Sequence, residues 1–463
     1  MDMNKDILRN IPQVEKLLQD ETIACFHDTL GHGTVVKIIR GVIDDFRRSI
    51  AGGENPGLDR LADQIVHACR RVSQERLQRV INCSGVIIHT NLGRSPLGVD
   101  IFEKMGKTLS GYCNLEFHIP TQRRGKRGGF AESLLCDLTG AEDALIVNNN
   151  ASSVFLMLNE FSRGKEVIVS RGELIQIGGG FRIPDIMHQS GAHLVEVGTT
   201  NITELDDFRH AVTERTSMIF SAHQSNYRIQ GFTDAPSLKE LATLKSDSVI
   251  FARDLGSGNL VSHDGLPQPF ESTISHELKQ GADLICFSGD KLLGGCQAGI
   301  IIGRKDLIGK LKKNPLMRML RVDKITYFIL QETLLEYEKG TQEGIPLWNI
   351  IHQNVKTISA RASSILRKVK NSRKSEYCRK TATRATFGGG ALPTMEIVST
   401  GISIDVPMMK PDDVAAFFLE GKVPILGTVT DGRFMLDVMT VFDRDTDLIA
   451  GRIDDLLSSK VES

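Results

Sequence analysis

From about residue 81 the chain alternates short apolar runs with helical stretches, and this alternation limits the fold more than anything else in it. Seven runs stand out: Ala144–Val147, Glu166–Val169, His193–Val197, Ser217–Ser221, Ser248–Phe251, Leu284–Phe287 and Gly299–Ile302. Several are rich in Val and Ile, as buried parallel strands are. Strands separated by helices imply an α/β fold with a mostly parallel sheet. Ligands of such sheets sit at the carboxyl ends of the strands. The polar residues that directly follow each run are therefore the candidates for chemistry.

The 463 residues exceed what one core holds, so two or three domains are expected. Residues 1–80 read as a helical module. Val35, Ile38, Ile39, Val42, Ile43 and Phe46 keep the spacing of an amphipathic helix, as do Leu58, Leu61, Ile65, Cys69 and Val72. Gly52 to Gly57 between them is a turn. A core follows over 81–325, then a linker helix and a small α/β domain over 326–463. The small domain opens on Gly388-Gly389-Gly390, with strands near Gly401–Val406, Ile425–Thr430 and Phe434–Met439. Net charge is −1, so any nucleic-acid surface must be local. Residues 304–324 hold eight Lys/Arg against two Asp/Glu, and 356–384 hold ten against one. The second stretch is either a nucleic-acid contact or a solvated helix. The eight cysteines form no CxxC pair, so no zinc site or disulfide frame is expected. There is no apolar run of about 20 residues for a membrane span. The start, Met1 to Asp6, lacks the apolar run of a signal peptide, and cytoplasm is the expected compartment.

Three segments carry the chemistry. Leu284–Phe287 runs into Ser288-Gly289-Asp290-Lys291, then Gly294-Gly295. A lysine in a Gly-flanked turn at a strand end can be partly buried; burial lowers its pKa and frees the amine for imine formation. Asp254 follows Val249–Phe251, about one strand–helix unit before Lys291. A carboxylate there can keep a pyridinium nitrogen protonated, so that the ring accepts a carbanion's electrons. Asn148 to Ser153 joins a strand to a helical run, where small polar residues offer N–H groups to an anion. Strand, cradle, Asp, then Lys is the chain order of aspartate-aminotransferase-like (fold type I) pyridoxal 5'-phosphate enzymes. The cofactor set is Lys291, Asp254, Asn149, Asn150, Ala151 and Ser288, with no metal.

Longer motifs narrow the identity: His89-Thr90-Asn91-Leu92-Gly93-Arg94, Gly125-Lys126-Arg127-Gly128, Asn148-Asn149-Asn150-Ala151, Val197-Gly198-Thr199-Thr200-Asn201, Asp254-Leu255-Gly256-Ser257-Gly258, Ser288 to Gly295, and Asn314-Pro315 through Lys324. On these the sequence resembles the bacterial selenocysteine synthase family, the L-seryl-tRNA(Sec) selenium transferases, over nearly its whole length. The resemblance implies conversion of L-seryl-tRNA(Sec) to L-selenocysteinyl-tRNA(Sec) with selenophosphate, through a pyridoxal phosphate aldimine and an aminoacrylyl-tRNA. It implies Lys291 as the base, with Asp290 beside it, and Arg94, Arg318 and Arg321 as the cations that grip the selenium-bearing anion. Spacing at i, i+3 adds that Arg318 and Arg321 share one helix face. Thr199 and Thr200 are similar to active-site residues of the family. Arg171, Glu173 and Arg182 are either active-site or packing groups, and His89 and His223 are left without a role. Cys296 departs from the family's proline and puts a thiol near the cofactor.

The resemblance further implies a tRNA-gripping role for residues 1–80, a dimer-based homodecamer, an active site shared between two subunits, and selenophosphate synthetase as a further partner. Arg94 would then serve the partner's Lys291. The competing expectation is a pyridoxal phosphate lyase acting on a free amino acid or sugar acid, which would need no N-terminal module.

Overall fold

The computed structural model describes residues 7–54, 57–177, 180–262, 266 and 270–461. Asn55 and Pro56 of the expected turn, and the polar start Met1 to Asp6, lie outside the described residues. The chain divides into two compact units, Met1–Val80 and Ile81–Ser463.

The first unit is built on two amphipathic helices, α1 (His32–Ala51) and α2 (Leu61–Gln74). Val35, Ile39, Ile43, Phe46 and Ile50 face inward from α1, meeting Leu61, Ile65 and Cys69 of α2. Each such aliphatic or aromatic side chain contributes about 1.5–3 kcal/mol when fully buried. Short helices add Leu17 and Ile23 to this core.

The second unit is organised by a seven-stranded sheet. Its strands are β1 (Asp143–Val147), β2 (Glu166–Ser170), β3 (His193–Val197), β4 (Thr216–Ala222), β5 (Ile250–Gly256), β6 (Leu284–Ser288) and β7 (Gly299–Gly303). All seven expected runs are strands. Their spatial order is β1-β7-β6-β5-β4-β2-β3. β2 to β6 pair in parallel, and β7 runs antiparallel to both β6 and β1. The cause is connection length. Only ten residues separate Ser288 from Gly299, too few for the crossover that parallel strands need. The chain must turn back, and that turn carries Lys291. The β5 strand runs farther than the sequence suggests, so Asp254 lies within it rather than after it.

Beyond α4 (Lys324–Glu338) comes α5 (Val355–Lys368), which buries Ile358, Ala362 and Ile365. A four-stranded antiparallel sheet follows: β8 (Cys378–Thr386), β9 (Glu396–Ile404), β10 (Thr428–Thr430) and β11 (Arg433–Asp437), in the order β8-β9-β11-β10. The basic stretch 356–384 is thus not one solvated helix. It is most of a helix followed by a strand, and the strand was hidden because Arg379 to Arg384 has no apolar alternation. The segment after residue 80 joins this region: Ile81–Asn82 pairs in parallel with Ile425–Leu426, and Val86 bridges to Thr386.

No helix among the described residues is long and apolar enough to cross a membrane.

Candidate active site

Lys291 sits in the β6–β7 turn with only 5% of its surface exposed. Main-chain bonds fix the turn. Gly289 N–H donates to Ala298 O at 2.9 Å, Gly295 N–H to Gly289 O at 2.9 Å, and Leu292 N–H to Ser257 O at 2.9 Å. From the start of the unit, Ser95 clamps the same backbone: its hydroxyl donates to Lys291 O at 2.6 Å and its N–H to Asp290 O at 3.2 Å. Burial lowers the pKa of the Lys291 amine, and the nearby Arg94 guanidinium lowers it further; Asp254, Asp290 and Glu271 oppose this. A side chain at Gly390 would come within 3.2 Å of Lys291 Nζ, and this glycine has φ +77°, which only glycine adopts at low cost. The Gly388–Gly390 turn therefore passes over the amine.

Arg94 reaches this turn within its own chain. Its Nη1 donates to both Asp290 carboxylate oxygens, 3.1 Å each. Within one chain Arg94 borders the same cavity as its own Lys291. It does so from a left-handed backbone, φ 63°, after the tight turn Thr90–Leu92.

The cavity has a volume of about 220 Å³ and is bordered by Arg94, Asn149, Asn150, Ala151, His223, Ser225, Asp254, Ser288, Asp290 and Lys291, among others. At its floor the Asp254 carboxyl is buried, which raises its pKa; a bond from Asn150 Nδ2 to Asp254 Oδ1 at 2.7 Å and the Lys291 and Arg253 charges pull the other way. At one end, α3 (Asn150–Ser162) begins. Asn149 caps it, accepting from Ser152 N–H at 2.8 Å. The first-turn N–H groups of Asn150 and Ala151 have no acceptor within the helix. A side chain at Gly299 would strike Asn149 O at 2.0 Å, so only glycine lets β7 lie this close to the cap.

These groups fit pyridoxal phosphate. The phosphate would take the α3 N-terminus, the ring nitrogen would face Asp254, and the aldehyde carbon would meet Lys291. One buried polar atom bordering the cavity, Asn150 Oδ1, has no hydrogen-bond partner among the described residues, as befits a site that takes a polar guest. The Asn150 amide nitrogen is turned to Asp254 rather than to the anion end.

Other expected site residues stand apart. Thr199 and Thr200 follow β3, the edge strand, and Lys291 follows β6 near the middle. Thr199 Oγ1 donates to Ile202 O at 2.9 Å, and Thr200 borders a separate cavity of about 310 Å³. Arg318 lies exposed on the short helix Met317–Leu320. Arg321 is not on that helix. It is extended, with φ −63° and ψ 139°, bridges to Val147, and pairs with Glu116 at 3.6 Å. The shared helix face expected for the two arginines is therefore not formed. Cys296 does not border the cavity; its thiol is turned to Thr326 O at 3.7 Å.

A buried network beneath the site was not anticipated. Arg253 Nη1 donates to Ser221 Oγ at 2.7 Å and its Nε pairs with Glu277 at 3.3 Å. Glu173 accepts from Ser221 Oγ and Ala222 N–H, both at 3.0 Å, which makes it a packing group. Arg171 pairs with Glu196 at 3.3 Å, and Arg182 with Gln176 at 2.7 Å, both exposed.

Comparison with known proteins agrees with this arrangement. Residues 80–442 match the family described as L-seryl-tRNA selenium transferase, and residues 8–47 match the selenocysteine synthase N-terminal family. The chain is 39% identical to the L-seryl-tRNA(Sec) selenium transferase of Carboxydothermus hydrogenoformans, covering 95% of this chain and 96% of that one. It is 40% identical to that of Geobacter metallireducens, covering 97% and 99%. Among solved structures, D-glucosaminate-6-phosphate ammonia-lyase shares the fold, with a TM-score of 0.59 at 19% identity over 83% of this chain and 97% of that one. On a match spanning most of its length, and on relatives aligned nearly end to end, the chain belongs to the L-seryl-tRNA selenium transferase family.

Proposed function

We propose that this chain is a pyridoxal phosphate-dependent transferase of the cytoplasm that converts L-seryl-tRNA(Sec) to L-selenocysteinyl-tRNA(Sec), with selenophosphate as donor. The observation that carries the reading is a buried Lys291 amine facing a buried Asp254 in a family whose members bear this activity. When bound, pyridoxal phosphate supplies an electron sink for the pair left at the seryl Cα. Asp254 keeps the ring nitrogen charged. Lys291, whose amine burial holds below its ordinary value, is the base for the Cα proton. Asp290 fixes Arg94 at the cavity rim, where a guanidinium suits a compact anion. Ser288 ends β6 and sets the turn's start.

Arg318, Arg321, Thr199 and Thr200 act on the donor and the aminoacyl end in an assembly of copies, a ring of dimers in which one copy completes another's cavity. Residues 1–80 grip the tRNA, and selenophosphate synthetase hands over the donor.

The test is direct. Purified protein loaded with pyridoxal phosphate should absorb visible light and turn seryl-tRNA(Sec) plus selenophosphate into selenocysteinyl-tRNA(Sec). A colourless loaded protein, or turnover of free serine or a sugar acid with none of seryl-tRNA, would overturn the reading.

A further inference from the structure

His223 stands between two cavities. Its ring borders the one that holds Lys291. It also borders a second, of about 470 Å³, together with Gln224, Arg228, Glu271 and Glu396. His223 Nδ1 faces Glu271 Oε1 at 3.7 Å, slightly beyond hydrogen-bond range. Each partner has an unanswered buried atom, Nδ1 on His223 and Oε2 on Glu271. Glu271 is held in place from behind: the Ser257 hydroxyl donates to its Oε1, and Asn259 Nδ2 donates to its carbonyl at 2.7 Å. The His223 main-chain N–H donates to Asp254 O at 2.8 Å, which ties its backbone to the strand of the cofactor carboxylate.

A buried carboxyl aimed at an imidazole that borders a reacting cavity is a proton-transfer geometry. The charges around it agree. Burial holds Glu271 up at about 7, against the pull of Ser257, Lys291 and Arg253; Glu277 pushes the same way as burial. Burial, with Arg253 and Lys291, holds His223 down at about 4. Near neutral pH the pair then carries a proton on the carboxyl rather than on the ring.

Resting on the function proposed above, we propose that His223 and Glu271 deliver the proton that lets the seryl β-hydroxyl leave as water. His223 touches the departing oxygen and is the catalytic residue of the two; Glu271 acts through it as a positioning residue. Lys291 takes the Cα proton, and the C–H electron pair becomes the second bond between Cα and Cβ. The Cβ–O pair departs on oxygen, which takes a proton from His223 Nε2. His223 Nδ1 takes the proton of Glu271. Water leaves, Glu271 remains as a carboxylate, and it regains a proton from solvent through the second cavity. Hydroxide is a poor leaving group, and a positioned acid accelerates such a step by roughly 10²–10⁴-fold.

The experiment uses the full-length loaded enzyme with seryl-tRNA in heavy water and no selenium donor. Two products are followed: deuterium at the seryl Cα, which needs Lys291, and pyruvate released from the tRNA ester, which needs loss of the β-oxygen. In Glu271→Gln the exchange should stay close to wild type while pyruvate falls roughly 100-fold. The pH profile of pyruvate release should lose the limb that wild type shows near 7. His223→Asn should show the same split, which covers the case in which Glu271→Gln fails to bind cofactor. Loss of exchange and pyruvate together would mark the pair as merely structural and overturn the inference, as would unchanged pyruvate. Absence of exchange in the wild-type enzyme would instead sink the proposed function itself, and this inference with it.

Discussion

The centre of the seven-stranded sheet and its two edges handle polar groups in opposite ways. At the centre, where β5 and β6 end, Asp254, Asp290 and Lys291 are each at most 6% exposed. The two carboxyls have named partners, Asn150 and Arg94. At the edges the groups are open. Arg318 is exposed beyond β1, and Thr199 and Thr200 are exposed beyond β3. The contrast separates two tasks. The groups that fit a small cofactor converge on one cavity within the chain. Arg318, Thr199 and Thr200 stand dispersed on its surface, where the proposed function puts the donor anion and the aminoacyl end.

The sharpest way to break this comparison is at the centre. Lys291→Ala should abolish visible absorbance and lower selenocysteinyl-tRNA formation by roughly 10⁴-fold; retained colour in an absorbance spectrum would show that another amine holds the cofactor. Asp254→Asn should keep the shape of the floor but lose its charge, cutting turnover by roughly 10²–10³-fold, measured with saturating cofactor. At the edge, Arg321→Ala should raise the KM for selenophosphate by roughly 10- to 100-fold, the cost of one charged hydrogen bond. At a selenophosphate concentration below that raised KM, mixing it with Lys291→Ala under subunit exchange should lift activity above that of either variant alone; failure to do so would place Arg321 in its own chain's site.

The smallest effect is on stability against pH. Glu271 is raised from 4.5 to about 7, so the folded state holds an extra proton in that window and stability falls as pH rises through it. His223 is lowered from 6.5 to about 4, so the unfolded state holds the extra proton and stability rises with pH over that window. The two slopes oppose, and wild type should be nearly flat between pH 5 and 6. In denaturant titrations Glu271→Gln should unmask the rise and His223→Asn the fall.

Much of the central sheet could be read from the chain because buried strands leave a local mark. Leu284–Phe287 and Gly299–Gly303 are apolar throughout, and the short link between them forces the turn on which Lys291 sits. The cap at Asn149 was visible for the same reason: it joins a strand to a helix with small polar residues. What escaped was set by distant partners. Glu271 and Asn259 look like ordinary loop residues until the fold brings Glu271 beside His223 and Asn259 beside Glu271. β8 escaped because its Arg, Lys and Thr side chains leave no apolar alternation to mark a strand. Arg318 and Arg321 have helical spacing, but a helix of four residues ends before the second one. The Gly388–Gly390 turn was noted as punctuation, while its approach to the lysine depends on a contact no local pattern carries.

The parallel pairing of Ile81–Asn82 with Ile425–Leu426 has a consequence for how the enzyme is made. The segment that delivers Ser95 and Arg94 to Lys291 is anchored to a strand that is synthesised long after β7. On the ribosome, β1 to β7 emerge and can pair while residues 81–94 still lack their anchor. The rim of the pocket closes only once Ile425 and Leu426 have joined it, so cofactor capture follows their synthesis. Truncation from about residue 425 onward should therefore disable a lysine that it never touches.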